Sequence, residues 1–370
     1  MDNHKDILEE LKDKGGSIKT KKVLVGLDGF VDVIVTAVDK RSGQGDQFTA
    51  IPKLADFGNR IVAAAGKSTN IELFPRMEKL GGNGPIMANA MLSIGSDVKY
   101  VGPLGDPGVH PVFKEFAEKT EAVNLGEPGV THALEFNDGK LMLGKMASLD
   151  DITYGKIIDS VGEGAFFDLM SRMDLVSMVN WTMIPNMTDI FNAFLEKVLP
   201  NLGPRDQRMF FFDLADPEKR SETDLKSVLD VISKFQSYGN TIIGLNLKEA
   251  QQVDRVLGFD EAPSDEAGLK KTALRIREYL GIHCVVVHPV ESAACATKEG
   301  AFFIKGSLCE KPLITTGAGD HFNGGFCSAQ LMGLSPEASL ALAVSTSGSY
   351  VRTAKSPTLS DLEAFINSEL

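Results

Sequence analysis

Ile314-Thr-Thr-Gly-Ala-Gly-Asp-His-Phe-Asn-Gly-Gly-Phe326 is the stretch of this chain that says most about its fold. Three small residues, Gly317 to Gly319, lead into Asp320 and a mostly apolar run, Phe322 to Leu331, which predicts a buried helix. A loop of this kind directs several backbone N–H groups to one point at the positive end of the helix dipole. The stretch therefore predicts an anion-binding loop at the start of a helix.

Asp320 is open to two interpretations. A carboxylate beside a bound anion would be repelled by that anion, so Asp320 is expected to act on another group, such as the proton of a hydroxyl. The alternative is that Asp320 only caps the helix, since Asp is a favoured N-cap residue and Gly-Ala-Gly loops are common turns. Motifs elsewhere in the chain are needed to distinguish the two interpretations.

The bulk composition predicts a globular protein with a sizeable core. The 370 residues are 43% hydrophobic and 24% charged, and the formal net charge is −12. An acidic surface argues against a nucleic-acid-binding protein. The four cysteines form no CxxC pair and are expected to be reduced core residues. Residues 1–14 lack the apolar stretch of a signal peptide, and no apolar run is long enough for a bilayer, so we expect a cytoplasmic protein without membrane contact.

Apolar strands alternate with helices along most of the chain. Predicted strands are residues 22–26, 98–102, 175–179, 209–213, 241–245 and 284–288. Predicted helices are residues 6–12, 85–94, 112–119, 187–198, 225–235, 248–257, 268–280, 320–332, 336–351 and 361–368. This order implies parallel βαβ units in a doubly wound sheet. Residues 31–38 and 131–143 read as further strands, the second interrupted by a turn at Asn137-Asp-Gly139.

The opening stretch resembles the second signature of the ribokinase-like (PfkB-type) carbohydrate kinases, which usually reads Asp-Thr-Thr-Gly-Ala-Gly-Asp. Other segments that are similar to this family follow its order: Val23-Leu-Val-Gly-Leu-Asp-Gly-Phe-Val-Asp32, Leu80-Gly-Gly-Asn-Gly-Pro-Ile-Met-Ala-Asn-Ala90, Val101-Gly-Pro-Leu-Gly-Asp106, Phe212-Asp-Leu-Ala-Asp-Pro-Glu-Lys-Arg220 and Gly244-Leu-Asn-Leu-Lys-Glu249. The resemblance covers about residues 21–355. Each segment is a weak signal alone, and the ordered set is fairly specific.

The resemblance implies a three-layer α/β/α ribokinase-like fold, with a mainly parallel doubly wound sheet and a small β-sheet lid. We expect a single kinase domain over residues 1–370, with the lid strands within about residues 30–48 and 128–146. A homodimer is compatible with the resemblance, because lid sheets of this family often pair across a dimer.

The resemblance also implies ATP-dependent phosphorylation of a hydroxyl group on a sugar or sugar-like molecule, with Mg²⁺ as cofactor. Asp320 is then the general base, and the amides of Gly317, Ala318 and Gly319 stabilise the transferred phosphoryl group. The resemblance also places Thr316 in the nucleotide-binding site. Asn246 and Glu249 match the family's Asn-x-x-Glu pattern, which helps to place the nucleotide phosphates and Mg²⁺, with Glu249 reaching the metal through water.

The acceptor site is expected around the residues that follow the first strand and the Gly-Gly-Asn segment. Gly81 and Gly82 would let the backbone approach a polar substrate, and Asn83 offers both donors and acceptors. Asp32, with Asp28 as second choice, would accept hydrogen bonds from sugar hydroxyls. No Arg/Lys cluster is evident near these residues, which mildly favours an uncharged acceptor. Asn180 and Asp213 are weaker candidates at other strand ends.

Three departures from the family pattern keep alternatives open. Ile314 stands where the family has an Asp that often helps a monovalent-cation site, so potassium activation is doubtful. Ile86 occupies a position that is normally Asn. His288-Pro-Val290 replaces a Thr-x-Gly loop at the nucleotide, which leaves the phosphate donor open. A nucleoside kinase and a non-catalytic sugar- or nucleotide-binding protein on the same fold are the competing hypotheses.

Overall fold

The computed structural model describes residues 3–370. The strands are β1 (Lys22–Gly26), β2 (Phe30–Arg41), β3 (Phe48–Ala50), β4 (Leu73–Gly81), β5 (Asp97–Gly102), β6 (Val123–Asn124), β7 (Gly129–Phe136), β8 (Gly139–Lys145), β9 (Leu175–Met178), β10 (Met209–Asp213), β11 (Asn240–Leu245), β12 (Cys284–Val287), β13 (Ser292–Thr297) and β14 (Gly300–Lys305).

The helices lie between these strands and at both ends of the described chain. They are α1 (Asn3–Lys14), α2 (Leu54–Val62), α3 (Asn83–Ile94), α4 (Lys114–Lys119), α5 (Tyr154–Val161), α6 (Glu163–Arg172), α7 (Met187–Ala193), α8 (Leu199–Leu202), α9 (Glu222–Lys234), α10 (Leu247–Val256), α11 (Glu266–Leu280), α12 (Ala318–Met332), α13 (Pro336–Thr353) and α14 (Leu359–Glu369). A π-helical turn, Phe194–Val198, joins α7 to α8. None of these helices is both long and apolar enough to cross a lipid bilayer.

A nine-stranded sheet forms the centre of the molecule, in the order β14-β13-β12-β11-β10-β9-β1-β5-β6. The seven strands from β12 to β6 are parallel, and β13 and β14 are antiparallel at one edge. Because β1 lies inside the sheet, and the chain adds β5 and β6 on one side of it and β9 to β14 on the other, the sheet is doubly wound.

Helices cover both faces of this sheet. The strands are apolar on both sides: Phe210, Phe211 and Phe212 are consecutive and fully buried. Since successive side chains of a strand point to opposite faces, Phe210 and Phe212 belong to one apolar core and Phe211 to another. The first core includes residues of α5, α6, α7, α9, α10 and α11, and the second includes residues of α1, α3, α4, α12, α13 and α14. The result is the predicted three-layer α/β/α arrangement, which confirms the fold class.

A smaller sheet stands at one side of the large one and is called the lid here (β2, β3, β4, β7 and β8). Its order is β3-β2-β7-β8, and β4 also pairs with β2. The turn between β7 and β8 lies at the predicted Asn137-Asp-Gly139 segment. A separate apolar cluster, which includes Val35 and Leu134 of the lid and Phe57 of α2, packs between the lid and α2. β4 has no counterpart among the strands predicted from the sequence.

Other differences from the predicted elements arise where local patterns are weak. The β13–β14 hairpin was missed because Ser292–Thr297 is rich in alanine rather than in β-branched residues. The predicted helix 187–198 ends its α-helical hydrogen bonding at Ala193 and continues as a π-turn. Most other predicted strands and helices are present, with ends shifted by a few residues.

Candidate active site

Polar residues gather at one edge of the large sheet. Asp28, Asn180, Asp213, Asn246 and His288 each end or follow one of the parallel strands β1, β9, β10, β11 and β12. The carboxyl ends of parallel strands meet at the same edge, which in open α/β sheets is where ligands bind. The fold therefore brings together the side chains that the sequence analysis selected at separate strand ends.

The loop before α12 has the geometry that the Gly-Ala-Gly segment predicts. Gly317 is the N-cap residue with φ 86°, a left-handed conformation that favours glycine. A Cβ at Gly317 would lie 3.0 Å from Cγ2 of Ile86, so space also restricts this position. The amide of Ala318 donates to the carbonyl of Thr315 at 3.2 Å. Within residues 3–370, the amides of Gly317 and Gly319 have no hydrogen-bond partner and are free for an anion.

Asp320 lies in the first turn of α12, next to these amides. Its Oδ1 accepts a hydrogen bond from Nδ2 of Asn83 at 2.9 Å. Burial raises the pKa of Asp320 well above its usual range, and the negative charges of Asp28 and Glu249 add to the effect, while the Asn83 bond opposes it. Asp320 makes no N-cap bond, because Gly317 is the cap residue. A basic carboxylate thus stands beside free amides.

Asp28 is fully buried and holds the start of α3. Its carboxylate accepts hydrogen bonds from the amides of Asn83 (2.9 Å) and Gly84 (2.8 Å) and from Nδ2 of Asn180 (2.7 Å). Burial raises the pKa of Asp28 to about 6, although these three bonds oppose the shift. Gly82, the N-cap residue of α3, needs a positive φ of 97° for this turn. Asp28 and Asn180 therefore fix the position of the first residues of α3, which include Asn83.

Asp32 lies on β2 of the lid and is only 5% exposed. Burial raises its pKa; Lys79, a hydrogen bond with Thr131 and Lys140 act in the opposite direction. A Cβ at Gly81 would lie 2.5 Å from Cγ of Asp32, so glycine is required there to leave room for the carboxyl group. Lys79 and Lys140 are therefore near enough to Asp32 to interact with its charge.

Lys140 joins the lid to the anion-binding loop. It is the second residue of β8, and its Nζ donates to Oγ1 of Thr316 at 2.6 Å and to Oγ1 of Thr315 at 3.2 Å. Lys140 is not among the residues selected from the sequence, since a charged residue on a short strand is usually solvated surface. Its position directly after the predicted Asn137-Asp-Gly139 turn was the one usable signal.

A cleft of about 390 Å³ lies on the other side of the loop. Asn246, Thr315 and Gly319 line it, together with His288 and with residues of α13 that the sequence analysis did not select. The imidazole of His288 stacks on Phe322, with ring centroids 4.5 Å apart, and burial lowers its pKa to about 4. The cleft thus lies directly against the predicted phosphate loop.

Asn246 and Glu249 form a capping box at the start of α10. Oδ1 of Asn246 accepts from the amide of Glu249 at 3.0 Å, and Oε2 of Glu249 accepts from the amide of Asn246 at 2.9 Å. Oε1 of Glu249 also accepts from the amide of Asp216 at 2.9 Å. Burial raises the pKa of Glu249, while the bonds from Asn246 and Asp216 counteract the increase. The pair has a structural role, and each carboxylate oxygen keeps a lone pair for water.

The family to which the chain belongs follows from comparison with known proteins. The model of a family described as prokaryotic ketohexokinase (Khk) matches residues 3–369. The chain belongs to the prokaryotic ketohexokinase family. A ketohexokinase of Haloferax volcanii is 28% identical over 351 residues, which cover 94% of this chain and 92% of that protein. This kinase therefore uses ATP to phosphorylate a hydroxyl group of a sugar or sugar-like molecule.

Solved structures show that the fold of this ketohexokinase family member is ribokinase-like. Ribokinase from Arabidopsis thaliana, complexed with ribose and ATP, has a TM-score of 0.62 at 15% identity, covering 94% of this chain and 98% of that one. A ribokinase from Thermotoga maritima has a TM-score of 0.59 at 18% identity, with 94% and 99% covered. A carbohydrate kinase from Agrobacterium tumefaciens has a TM-score of 0.63 at 16% identity, with 94% and 97% covered.

The kinase has an oxygen-rich region where a hard cation would fit. Oδ2 of Asp213 accepts from Nδ2 of Asn323 at 2.8 Å, whereas the buried Oδ1 of Asp213 has no hydrogen-bond partner. Burial and the charges of Glu249 and Asp320 raise the pKa of Asp213 well above its usual range. Within residues 3–370, no three carboxylate, histidine or cysteine side chains converge closely enough to hold a metal directly. These residues fit a Mg²⁺ ion that keeps several of its waters.

Proposed function

We propose that this chain is a ketohexokinase in which Asp320 is the general base. The family match and the Haloferax volcanii relative support a ketohexose as the acceptor. The observation that carries the proposal is the pairing of Asp320, whose pKa is raised by burial, with the free amides of Gly317 and Gly319 one helical turn away or less. Transfer of a phosphoryl group to an alcohol requires a base for the hydroxyl proton and donors that hold the phosphoryl group, and the first turn of α12 and its loop provide both.

In this mechanism Asp320 takes the proton of the sugar hydroxyl. The oxygen of that hydroxyl then attacks the γ-phosphorus of ATP, and the bond from phosphorus to the β-phosphate oxygen breaks, so that ADP leaves. The raised pKa makes Asp320 a better proton acceptor than an ordinary carboxylate. Asn83 orients the carboxylate through its bond to Oδ1. The amides of Gly317 and Gly319 hold the phosphoryl group as charge develops on it.

Asp32 is the better candidate for binding the sugar. Its carboxyl group keeps part of its hydrogen-bonding capacity, while the Asp28 carboxylate already accepts three hydrogen bonds inside the protein. Glycine at position 81 leaves room for the Asp32 carboxyl group, since a Cβ there would lie 2.5 Å from its Cγ, and glycine at position 82 leaves room for the carboxylate of Asp28. Sugar hydroxyls would thus meet Asp32 and Asn83.

The nucleotide is proposed to occupy the cleft beside the loop. Asn246, which lines the cleft, and Thr316, which leads into the loop, would bind its phosphates. Glu249 and Asp213 would hold Mg²⁺ through water, since their oxygens suit a hard cation. When bound, Mg²⁺ would neutralise charge on the phosphates. A cation at this position would also reduce the electrostatic repulsion among Asp213, Glu249 and Asp320.

Lys140 supplies positive charge from the side of the lid. Its ammonium group lies 2.6 Å from the Thr316 hydroxyl, at the edge of the loop that is proposed to hold the phosphoryl group. A phosphate at this loop would be attracted to Lys140, and the attraction would grow as charge moves onto the transferred oxygens. Lys140 would at the same time keep the lid closed over the substrate, which excludes water from the reaction.

The proposal is tested with a panel of acceptors and one conservative substitution. ATP consumption is measured with ketohexoses, aldohexoses, pentoses and nucleosides, and a ketohexose should give the highest kcat/KM. Asp320→Asn should lower kcat at least a hundredfold, while Asp159→Asn at an exposed position of α5 should not change it. Preference for a nucleoside would overturn the ketohexose assignment, and near wild-type turnover by Asp320→Asn would remove Asp320 as the base.

The homodimer stays a prediction from the resemblance, as does the cytoplasmic location from the sequence. Sedimentation of the purified chain at several concentrations would test the dimer. A single species with the mass of one chain, 39.9 kDa, at all concentrations would contradict it.

A further inference from the structure

Three side chains pack behind the anion-binding loop and are called the loop brace here (His321, Tyr350 and Ser356). The imidazole of His321 stacks on the ring of Tyr350, with centroids 3.6 Å apart and planes 13° apart. Nδ1 of His321 is 2.8 Å from the carbonyl oxygen of Gly317, and Nε2 is 2.9 Å from Oγ of Ser356. The hydroxyl of Tyr350 donates to the carbonyl of Thr316 at 3.0 Å.

The partners of the loop brace define its protonation state. A carbonyl oxygen only accepts, so Nδ1 of His321 must carry the proton, and Nε2 accepts from the hydroxyl of Ser356. Burial lowers the pKa of His321 to about 4. Burial, with the charges of Asp320 and Asp32, raises the pKa of Tyr350 to about 12. Both rings are therefore neutral near pH 7, and each donates one hydrogen bond to the loop.

These two bonds act on successive peptide groups of the loop. A peptide group is planar and trans, so its N–H and its C=O point in opposite directions. Tyr350 holds the carbonyl of Thr316 and thereby sets the direction of the N–H of Gly317, which is free. His321 holds the carbonyl of Gly317 at one end of the next peptide group, and Thr315 accepts from the N–H of Ala318 at its other end.

We infer that His321 and Tyr350 are positioning residues that hold the loop amides in the orientation needed for phosphoryl transfer. This inference rests on the proposed role of the Gly317 and Gly319 amides. Glycine at position 317 leaves the backbone free to rotate, and the positive φ there has no side chain to stabilise it. The loop brace restricts that freedom before the substrates bind, so the amides need no reorganisation when charge develops in the transition state.

Two substitutions remove the hydrogen bonds and keep the rings. Tyr350→Phe removes one oxygen atom, and His321→Phe keeps an aromatic ring on Tyr350 but removes both of its bonds. Tyr279→Phe, at a half-exposed position on α11, is the matched control. We expect kcat to fall about tenfold in Tyr350→Phe and further in His321→Phe, with the KM for the sugar within about twofold of the wild-type value, because the bonds serve the transition state.

A second measurement separates positioning from a purely structural role. ADP with aluminium fluoride and the sugar imitates the transferred phosphoryl group, so its affinity should fall by the same factor as kcat, while the affinity for ADP alone should stay unchanged. The melting temperature of Tyr350→Phe should stay within about 2 °C of wild type. A loss of kcat that only follows a loss of folded protein, or an unchanged affinity for the aluminium fluoride complex, would overturn the inference.

Asp320→Asn distinguishes this inference from the proposed function. If Asp320→Asn is inactive and both loop-brace variants have wild-type kcat, the inference alone is wrong. If Asp320→Asn is fully active, Asp320 is not the base, and the kcat and the aluminium fluoride affinity of the loop-brace variants still decide whether the loop amides are positioned by His321 and Tyr350.

Discussion

Replacing Lys140 with methionine should slow the kinase without unfolding it. Methionine keeps an unbranched side chain of similar length but has neither the charge nor the hydrogen-bond donors. Lys140 lies at the surface of the lid, and its Nζ contacts the hydroxyls of Thr315 and Thr316. Because exposed polar contacts of this kind contribute little to stability, we expect the melting temperature to be nearly unchanged.

The size of the effect follows from the distance between Lys140 and the loop. A phosphate oxygen bound by the Thr316 hydroxyl would lie about 4 Å from the ammonium nitrogen. Two unit charges at about 4 Å attract each other by about 1 kcal/mol in water and about 4 kcal/mol near a protein surface. Since Lys140 is exposed, we expect the lower half of that range, about 1–2 kcal/mol, which corresponds to a roughly 5- to 30-fold lower kcat/KM.

The assay compares Lys140→Met with two further variants under initial-rate conditions. Lys140→Arg keeps the charge and should recover most of the activity. Lys40→Met removes an exposed lysine at the far end of β2 and should behave as wild type. The advantage of wild type over Lys140→Met should shrink as salt is added, because salt screens exposed charges. A kcat/KM of Lys140→Met above half the wild-type value, or an equal loss in Lys40→Met, would refute the reasoning.

Three more outcomes follow from the site. Gly81→Ala should raise the KM for the sugar about tenfold, because its Cβ would lie 2.5 Å from the Asp32 carboxyl carbon. Gly58→Ala is the control, since nothing lies within 4 Å of a Cβ at that position. Equal KM values for the two variants would contradict the prediction. Asp28 has a pKa raised to about 6, so its contribution to stability is present below about pH 4 and is lost as the pH rises through 6. That loss amounts to roughly 3 kcal/mol and falls mainly between about pH 4 and pH 6, so melting temperatures measured from about pH 4 to pH 7 should fall less steeply in Asp28→Asn than in wild type; parallel curves would contradict it. The rate should be the same in potassium, sodium and tetramethylammonium salts, because the loop brace already donates to the two loop carbonyls; potassium activation would contradict this.

The sequence was sufficient for the features that depend on neighbouring residues. Strand and helix periodicity predicted the alternating order and hence the doubly wound sheet. The small residues at 317–319 and the Asp that follows predicted the loop and the base, because loop flexibility and helix dipoles are local properties. Comparison with the family motifs then indicated a sugar kinase, and the Khk family match confirmed it.

Only the tertiary structure decided which of the selected side chains are free to act. Asp28 and Asp32 are both acidic residues shortly after the first strand, yet the Asp28 carboxylate accepts bonds from the start of α3 and from Asn180, whereas Asp32 lies on β2 of the lid, near Lys79 and Lys140. Lys140 is 175 residues away from Thr315 along the chain, and no local pattern links them. Burial and long-range contacts set pKa values and hydrogen-bond partners, and both depend on chain segments that are distant in sequence and adjacent only after folding.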